Sequence, residues 1–389
     1  MINYYLMNKD KAIAKLEVTD SFIGISDILD IVPPYIGNIQ SWVQSRLTPV
    51  GRPNIQKLLK MAQIHDEDEF LFITKAISLT DTFWVNNSYK PMKWEQVNPF
   101  KRRFSRIISE IALNCECNKN TELKSPSPEY TVDGSVHKCW KRINGQIYLF
   151  KTDGVKWSDV TGNRPYCEYY ASQVAQALNL RYFVSYGLKV NKIQNREIKP
   201  YVYSRIFTSE KYGYAPLEST VYKNMDIEEL IQAIKKNNSK QSLVLMEMLL
   251  LDAITMNIDR HMGNYGFMFD TDTYKIVGVA PIFDNDCALG YNKSLQTSTF
   301  EEVWNMLGNT FPKTCAMEYT EQGKYALKLM HQIKDDITGK TYGQIMVQKL
   351  KSIYPFKFKR LQDSSTDLSD NRIQFIEFIV NNQIKEILS

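Results

Sequence analysis

The pattern of apolar and polar positions predicts a strand-rich middle of the chain followed by a helical end. Two β-type runs, residues 136–143 and 146–152, flank the pair Asn144-Gly145. An Asn-Gly pair between such runs is a strong hairpin signal, because both turn positions need a positive φ. We therefore expect an antiparallel hairpin to open the middle of the chain.

Helical and strand patterns continue after this hairpin. Residues 166–178 carry apolar side chains at helical spacing, and two strand-like runs follow at 183–190 and 201–207. Residues 242–256 are apolar on nearly every face, which predicts a helix inside the core. The amphipathic pattern over residues 371–388 predicts a last helix that serves structural packing.

These elements and the composition divide the chain into four regions. Residues 1–115 mix helical and strand patterns and form an N-terminal accessory region. Residues 116–130 are polar and contain Pro and Ser, which is typical of an exposed linker or loop. Residues 131–207 are strand-rich, and residues 208–389 are mainly helical. A chain of 389 residues also exceeds one ordinary core, which favours more than one domain.

Composition narrows the class of protein. A hydrophobic content of 43% and a charged content of 23% indicate a globular chain, and the net charge of +5 is slight. We expect no direct nucleic acid binding, which usually requires a denser basic stripe. We expect neither a signal peptide nor a membrane span, since the first residues lack a signal-peptide pattern and no apolar run approaches the roughly 20 residues of a span. A cytoplasmic protein with reduced cysteines is the expectation.

The strongest chemical signal lies directly after the predicted core helix. Asp259, His261 and Asn264 fall in a short polar loop, and a hairpin predicted over residues 267–279 would return Asp284 beside that loop. Two carboxylates and an amide oxygen would then converge.

This set of groups suits phosphoryl transfer. A carboxylate can orient an acceptor hydroxyl and take its proton, while an amide oxygen and a second carboxylate hold Mg²⁺. Magnesium prefers hard oxygen ligands and often uses only one or two protein carboxylates. We therefore predict Asp259 as the catalytic base, with Asp284 and Asn264 as metal ligands.

The motif D-R-H-x-x-N at residues 259–264, with A-P-I-F-D at residues 280–284, resembles the catalytic and metal-binding motifs of HipA-like kinases. The resemblance implies an α+β, two-lobed protein-kinase-like fold. Residues 131–207 would form the small β-rich lobe and residues 208–389 the helical large lobe, with an extra N-terminal α/β region. It also implies ATP and Mg²⁺ as cofactors, Asn264 as part of the catalytic loop, and a structural role for His261.

The resemblance assigns further residues to nucleotide binding. Lys151 ends an apolar strand and resembles the strand lysine that holds the α/β-phosphates, and Glu168 on the next helix would pair with it. A loop with the single glycine Gly134, followed by Ser135 and Lys138, resembles the phosphate loop of the family in outline. Backbone amides of such a loop can contact phosphate.

The strand before the helical region resembles the hinge of the family but reads S-R-I-F, without the acidic residue expected there. Backbone groups near Ser204 and Ile206 would then receive the adenine. The resemblance also makes Ser135 a candidate for autophosphorylation. It implies a protein Ser or Thr as acceptor, and a small antitoxin-like regulator as partner if the chain is a toxin of a toxin–antitoxin system.

Two other functions fit the same motif. A lipid kinase of the phosphoinositide type, or a small-molecule kinase, would use the same loop. A regulatory pseudokinase would bind nucleotide without turnover.

One N-terminal segment also has two interpretations. Ser78, Asp81 and Trp84 either form a docking surface or belong to a capped turn with core aromatics, and the second interpretation is favoured.

Overall fold

The computed structural model describes residues 3–19, 22–30, 42, 45–46, 55–114, 126–132, 134–156, 158–192, 197–296, 298–315 and 317–389. The chain forms two compact units. The first contains Met1–Lys151, Arg205–Lys223 and Gly266–Gly278, and the second contains Thr152–Ser204, Asn224–Tyr265 and Val279–Ser389. The four regions proposed from composition stay a prediction.

Strands dominate the early part of the chain and helices the late part, so the protein is of the α+β class. The strands are β1 Tyr4–Asn8, β2 Lys11–Thr19, β3 Phe22–Ile28, β4 Phe83–Asn87, β5 His137–Ile143, β6 Gln146–Thr152, β7 Tyr186–Lys192, β8 Ile198–Arg205, β9 Tyr212–Pro216, β10 Gly266–Asp270 and β11 Ile276–Val279. The helices are α1 Ile55–Ala62, α2 Glu67–Thr74, α3 Trp94–Val97, α4 Arg106–Asn114, α5 Arg164–Ala177, α6 Ile227–Asn237, α7 Ser239–Thr255, α8 Phe300–Gly308, α9 Tyr319–Met330, α10 Tyr342–Ile353 and α11 Asp370–Leu388.

The first unit is built on antiparallel sheets. One sheet has the strand order β3-β2-β1-β4, and another has the order β11-β10-β9. Trp84 in β4 is fully buried and donates its indole N–H to the carbonyl of Lys9 at 2.7 Å. It packs in a cluster with Met7, Ile77 and Trp94, which forms part of the core of this unit.

The hairpin read from the sequence is confirmed. Strands β5 and β6 are neighbours in one sheet, and the turn residues Asn144 and Gly145 have φ values of 48° and 78°. The predicted helix and two strands after it are also confirmed as α5, β7 and β8, with ends shifted by up to three residues. Strands β7 and β8 pair antiparallel, with Tyr186 opposite Ser204.

Helix α7 is the central element of the second unit. It is buried along almost its whole length, as its sequence predicts, and it packs against α6, α9 and α11. Asn238 caps its first turn by accepting hydrogen bonds from the amides of Lys240 and Gln241. Met256 ends the helix in the left-handed conformation, with φ 50° and ψ 54°. The chain therefore leaves this core helix abruptly, at the point where the polar loop begins.

The stretch predicted as an exposed linker ends in the core. Residues 115–125 lie outside the described residues, but Ser127, Glu129 and Tyr130 are buried. Ser109 Oγ donates to Glu129 Oε1 at 2.9 Å, and Ser127 Oγ donates to Glu129 Oε2. The exposure expected from composition is wrong here, because the hydroxyl groups satisfy the buried carboxylate.

The segment with Ser78, Asp81 and Trp84 is a capped turn, as favoured above. Asp81 is buried, accepts a hydrogen bond from the amide of Phe83 at 2.9 Å and pairs with Arg46. Burial raises the pKa of Asp81, and the neighbouring Arg46 acts in the opposite direction. These groups serve the core, so the segment offers little for docking.

Two smaller expectations concern membranes and cysteines. Among the described residues, we find no helix with the length and apolarity required to cross a membrane. The described cysteines are all free thiols, namely Cys139, Cys167, Cys287 and Cys315.

Candidate active site

The polar loop after α7 is anchored to the end of that helix by Asn257. Its side-chain Nδ2 donates to Asp252 Oδ1 at 3.1 Å, and its side-chain Oδ1 accepts from the backbone amide of Asp259 at 3.2 Å. Asn257 and Asp252 are both fully buried. Asn257 therefore fixes the backbone of Asp259 to the end of the core helix.

The carboxylate of Asp259 points outward, with 39% of its side chain exposed. Its Oδ1 atom lies 2.5 Å from Lys313 Nζ, and its Oδ2 atom lies 3.9 Å from Cys287 Sγ. Burial raises the pKa of Cys287, so its sulfur remains a protonated thiol that can donate a weak hydrogen bond. A half-exposed carboxylate on a fixed backbone is well suited to accept a proton from an incoming hydroxyl.

Asn264 is buried and held in one orientation. Its Nδ2 donates to the carbonyl oxygen of Asp259 at 3.3 Å. Its backbone amide donates to the carbonyl oxygen of His261 at 2.8 Å. His261 in turn accepts a hydrogen bond at Nδ1 from the amide of Gly263 at 3.1 Å. This contact agrees with the structural role expected for His261. The bond from Nδ2 leaves Asn264 Oδ1 as the atom that could bind a metal ion.

Arg260 is the residue that the sequence interpretation missed. It is fully buried, and its Nε and Nη2 atoms each lie 2.9 Å from a carboxylate oxygen of Asp252. Nη2 also donates to Asn285 Oδ1 at 2.5 Å, and Nη1 donates to the carbonyl oxygens of Phe283 and Asn264. One side chain thereby joins the helix end, the loop of Asp259 and the loop of Asp284.

Asp284 has an uncommon backbone conformation, with φ 60°. Left-handed backbone is unusual outside glycine, and asparagine and aspartate tolerate it best among the other residues. The amide of Asp284 donates to the hydroxyl of Tyr186 at 3.2 Å. Just before it, Ile282 donates to the carbonyl of Tyr182 and accepts from the amide of Val184, both at 2.9 Å. These bonds hold the strained residue in place, which is common at functional sites.

The two loops are also joined by backbone hydrogen bonds. The amide of Ile258 donates to the carbonyl of Cys287 at 3.4 Å, and the amide of Leu289 donates to that of Thr255 at 2.7 Å. Together with Arg260, these bonds make the loops of Asp259 and Asp284 one framework within the second unit.

The donor set fits Mg²⁺ rather than a soft metal. Asp284 and Asn264 would supply a carboxylate and an amide oxygen, which are hard ligands of the kind that magnesium prefers. In the described part of the chain, no three His, Cys, Asp or Glu side chains are grouped so that they could hold a metal ion. A magnesium site completed by water and phosphate oxygens does not need such a group.

Two predicted nucleotide-binding residues also belong to the second unit. Glu168 is fully buried in α5. Ser204 is buried in β8 opposite Tyr186, whose hydroxyl accepts from Asp284. Lys151 belongs to the first unit, so its pairing with Glu168 stays a prediction.

The predicted phosphate loop belongs to the first unit. Gly134 has φ 118°, and a Cβ atom at this position would come within 2.0 Å of Lys138 Nζ. The conformation of this position favours glycine, whereas the flexible end of Lys138 could move to make space for a side chain. Lys138 is buried, whereas Ser135 is exposed and open to modification.

The remaining predicted residues of the first unit are Lys151 and Ile206. Lys151 is buried at the end of β6, with 6% of its surface exposed. The amide of Ile206 already donates to the carbonyl of Ile147 at 3.0 Å. The backbone N–H of Ile206 is thus engaged, which leaves its carbonyl oxygen as the group that could receive an adenine amino group.

The first unit also has a surface depression of about 530 Å³, which contains none of the predicted site residues. Asn8, Lys9, Asp10, Lys11, Asp272 and Tyr274 line it. Lys9 pairs with Asp272 at 2.5 Å, and Lys11 pairs with Asp30. Because both lysines pair with neighbouring carboxylates, neither ammonium offers an unbalanced positive charge to a ligand.

Comparisons with known proteins give limited information. No family model and no curated protein matches the chain. A proinflammatory kinase from Helicobacter pylori, CtkA, is 19% identical with a TM-score of 0.45, over 64% of this chain and 91% of that chain. A MAP kinase from Leishmania major is 11% identical with a TM-score of 0.24, over 65% of this chain and 76% of that chain. Both TM-scores are below 0.5, which is too low to assign a function to this chain.

Proposed function

We propose that this protein is an ATP- and Mg²⁺-dependent phosphotransferase of the HipA-like kinase class, acting on a protein Ser or Thr hydroxyl. The observation that carries the proposal is the framework around Arg260. It holds the half-exposed carboxylate of Asp259, the oriented side-chain amide of Asn264 and the carboxylate of Asp284, whose backbone is left-handed. The two loops that carry these groups are hydrogen-bonded to each other. Phosphoryl transfer depends mainly on such fixed positions.

The reaction can be written with Asp259 as the base. The acceptor oxygen bonds to the γ-phosphorus, and the bond from that phosphorus to the β,γ-bridging oxygen breaks. The electron pair of the broken bond leaves with ADP. Asp259 takes the hydroxyl proton and returns it to solvent, and 39% of its side chain is exposed, so an acceptor can reach the carboxylate.

Asn264 and Asp284 would hold the metal in this scheme. When bound, Mg²⁺ neutralises charge on the phosphates. Asn264 contributes an oxygen that is oriented by the bond from its Nδ2 to Asp259. Asp284 contributes its carboxylate, and the hydroxyl of Tyr186 holds the backbone amide of Asp284 in place.

Residues of the first unit would bind the nucleotide phosphates and base. Lys151 and Lys138 are both buried in the first unit, and we propose them as the residues that contact the phosphates. Gly134 supports close approach of the loop backbone. We also propose Glu168 as the partner of Lys151, and the backbone near Ser204 and Ile206 as the adenine contact.

The test is phosphorylation by the purified full chain. With labelled ATP and Mg²⁺, we expect label in protein, located by mass spectrometry, and a fall of about 10²–10⁴-fold in Asp259→Asn. Asp336→Asn is the matched control, because Asp336 is an exposed carboxylate of the second unit that pairs with Lys240. Equal labelling by wild type, Asp259→Asn and control would refute the assignment.

The same experiment separates the alternatives. Label in phosphoinositide vesicles instead of protein would indicate a lipid kinase. Nucleotide binding without any labelled product would indicate a regulatory pseudokinase. Label on Ser135, which is exposed, would support autophosphorylation and the proposed toxin role with an antitoxin-like partner.

A further inference from the structure

Lys313 is the charged partner of the proposed catalytic base. It lies between α8 and α9, and its Nζ is 2.5 Å from Asp259 Oδ1. The other contact of this carboxylate, Cys287, is a neutral thiol at 3.9 Å. No motif of the sequence pointed to Lys313, which lies 54 residues after Asp259.

The contact is not explained by stability. The side chain of Lys313 is 56% exposed and that of Asp259 is 39% exposed. Ion pairs in such positions contribute only about 0–1 kcal/mol, because water and salt screen them. A functional role is a better explanation for the contact between Lys313 Nζ and Asp259 Oδ1.

The geometry of phosphoryl transfer places the nucleotide close to this lysine. An acceptor oxygen must come within about 2.6–3.2 Å of the base. In a reactive arrangement, the phosphorus that this oxygen attacks must lie about 3–3.5 Å from the oxygen. The flexible four-carbon stem of Lys313 can span that short distance.

Charge determines which partner the lysine prefers once nucleotide is present. The terminal phosphoryl group carries more negative charge than one carboxylate, so it attracts the ammonium more strongly at similar distance. Transfer of Lys313 from Asp259 to the phosphoryl oxygens would free Oδ1 for the acceptor hydroxyl. Arg260 cannot take this role, because it is fully buried and bonded to Asp252.

We propose that Lys313 binds the terminal phosphoryl group of the nucleotide and leaves Asp259 when it does so. This inference rests on the proposed function. Lys313 neither gains nor loses a proton, and it contacts only the group that is transferred. It should therefore distinguish a nucleoside triphosphate from a diphosphate.

Calorimetric titration of the full chain tests this inference without turnover. The probes are ADP and a non-hydrolysable ATP analogue with an imido group between the β- and γ-phosphates, each with Mg²⁺. In Lys313→Met we expect affinity for the analogue to fall roughly tenfold or more, as for loss of a charge-assisted hydrogen bond. Affinity for ADP should stay within about twofold of wild type, since ADP lacks the contacted group.

Two further variants control the measurement. Lys313→Arg keeps the cation and should retain most of the affinity for the analogue. Lys324→Met removes another exposed lysine of the second unit, which pairs with Glu321 at 3.7 Å, and should bind both nucleotides as wild type does.

The outcomes are distinct. If Lys313→Met binds both nucleotides as wild type does, or weakens both equally, the inference is wrong while the kinase assignment stands. If wild type binds neither nucleotide, the proposed function fails, and the role of Lys313 fails with it.

Discussion

Two buried cations, one in each compact unit, have opposite surroundings. Arg260 in the second unit is fully buried with a complete set of acceptors. Burial lowers its pKa, but Asp252 together with Asp284 and Tyr186 raises the pKa by more. Lys75 in the first unit is also buried, but its Nζ has no hydrogen-bond partner among the described residues. Its ammonium lies 4.7 Å from the ring centre of Phe72, and burial lowers its pKa to about 8.

The difference shows how each charge relates to the fold. Arg260 keeps its charge because carbonyl oxygens and carboxylates of three segments surround it, so the charge fixes those segments together. Lys75 holds its charge at a cost, because an aromatic face only partly replaces water. The first cation positions other groups, and the second destabilises its own surroundings.

The largest expected effect is that of removing Arg260. Arg260→Met leaves Asp252 as an unpaired buried carboxylate, which should lower the free energy of unfolding by about 3–5 kcal/mol. Urea denaturation measures this loss. In the double variant with Asp252→Asn, part of the stability should return, because no charge is then left unpaired. A loss below about 1 kcal/mol for Arg260→Met would show that the framework does not depend on this side chain.

The second prediction tests whether Asp284 is needed for its backbone conformation or for the charge of its carboxylate. Asparagine tolerates left-handed backbone, so Asp284→Asn should change the free energy of unfolding by less than about 0.5 kcal/mol. Phosphoryl transfer should nevertheless fall by at least about a hundredfold, because the charge that holds the metal is gone. Activity and urea denaturation are measured on the same preparation. Retained activity would remove Asp284 from the site.

The third prediction concerns Lys75. Lys75→Met should raise the free energy of unfolding at pH 7 by about 1–2 kcal/mol, because a buried charge is replaced by an apolar chain of similar length. In the folded protein Lys75 loses its proton near pH 8, whereas the unfolded chain keeps it to about pH 10.5. The unfolded state therefore binds more protons between these values, and wild type gains stability as the pH rises.

The pH dependence provides the check on Lys75. The advantage of Lys75→Met over wild type should be largest below pH 8 and should shrink toward pH 10.5. Lys90→Met is the control, since Lys90 also lies in the first unit and its charge contributes less to the shift than burial does. An advantage for Lys75→Met that stays constant with pH would mean that its effect does not come from the charge.

The sequence predicted the local parts of the site better than the long-range ones. Asp259 and Asn264 stand in one short loop and Asp284 follows a short hairpin, so local spacing indicated that the two loops come together, and backbone hydrogen bonds join them. The roles assigned to these three residues stay a prediction. The role of Arg260 was missed although a signal was present. Asp252 is a charged residue in a mostly apolar helix, and a charge in such a position requires a buried partner, which Arg260 provides.

Other features had no local signal. Lys313 reaches Asp259 from a distant segment without any repeated pattern. The polar stretch that ends at residue 130 was expected to be exposed. Glu129 is instead buried, because Ser109 on a separate helix supplies a hydroxyl. Composition reports the polarity of a segment, whereas burial depends on partners that only the folded chain brings together.

The smallest expected effect is on stability at the exposed pair. Lys313→Met should change the free energy of unfolding by no more than about 0.5 kcal/mol, since both charges are solvated and water replaces the lost partner. Thermal denaturation beside wild type and Lys324→Met measures this effect. A large loss of stability would place Lys313 with Arg260 as part of the framework. A negligible change, together with weaker binding of the ATP analogue, would mean that the cation acts on the nucleotide, because the fold does not depend on it.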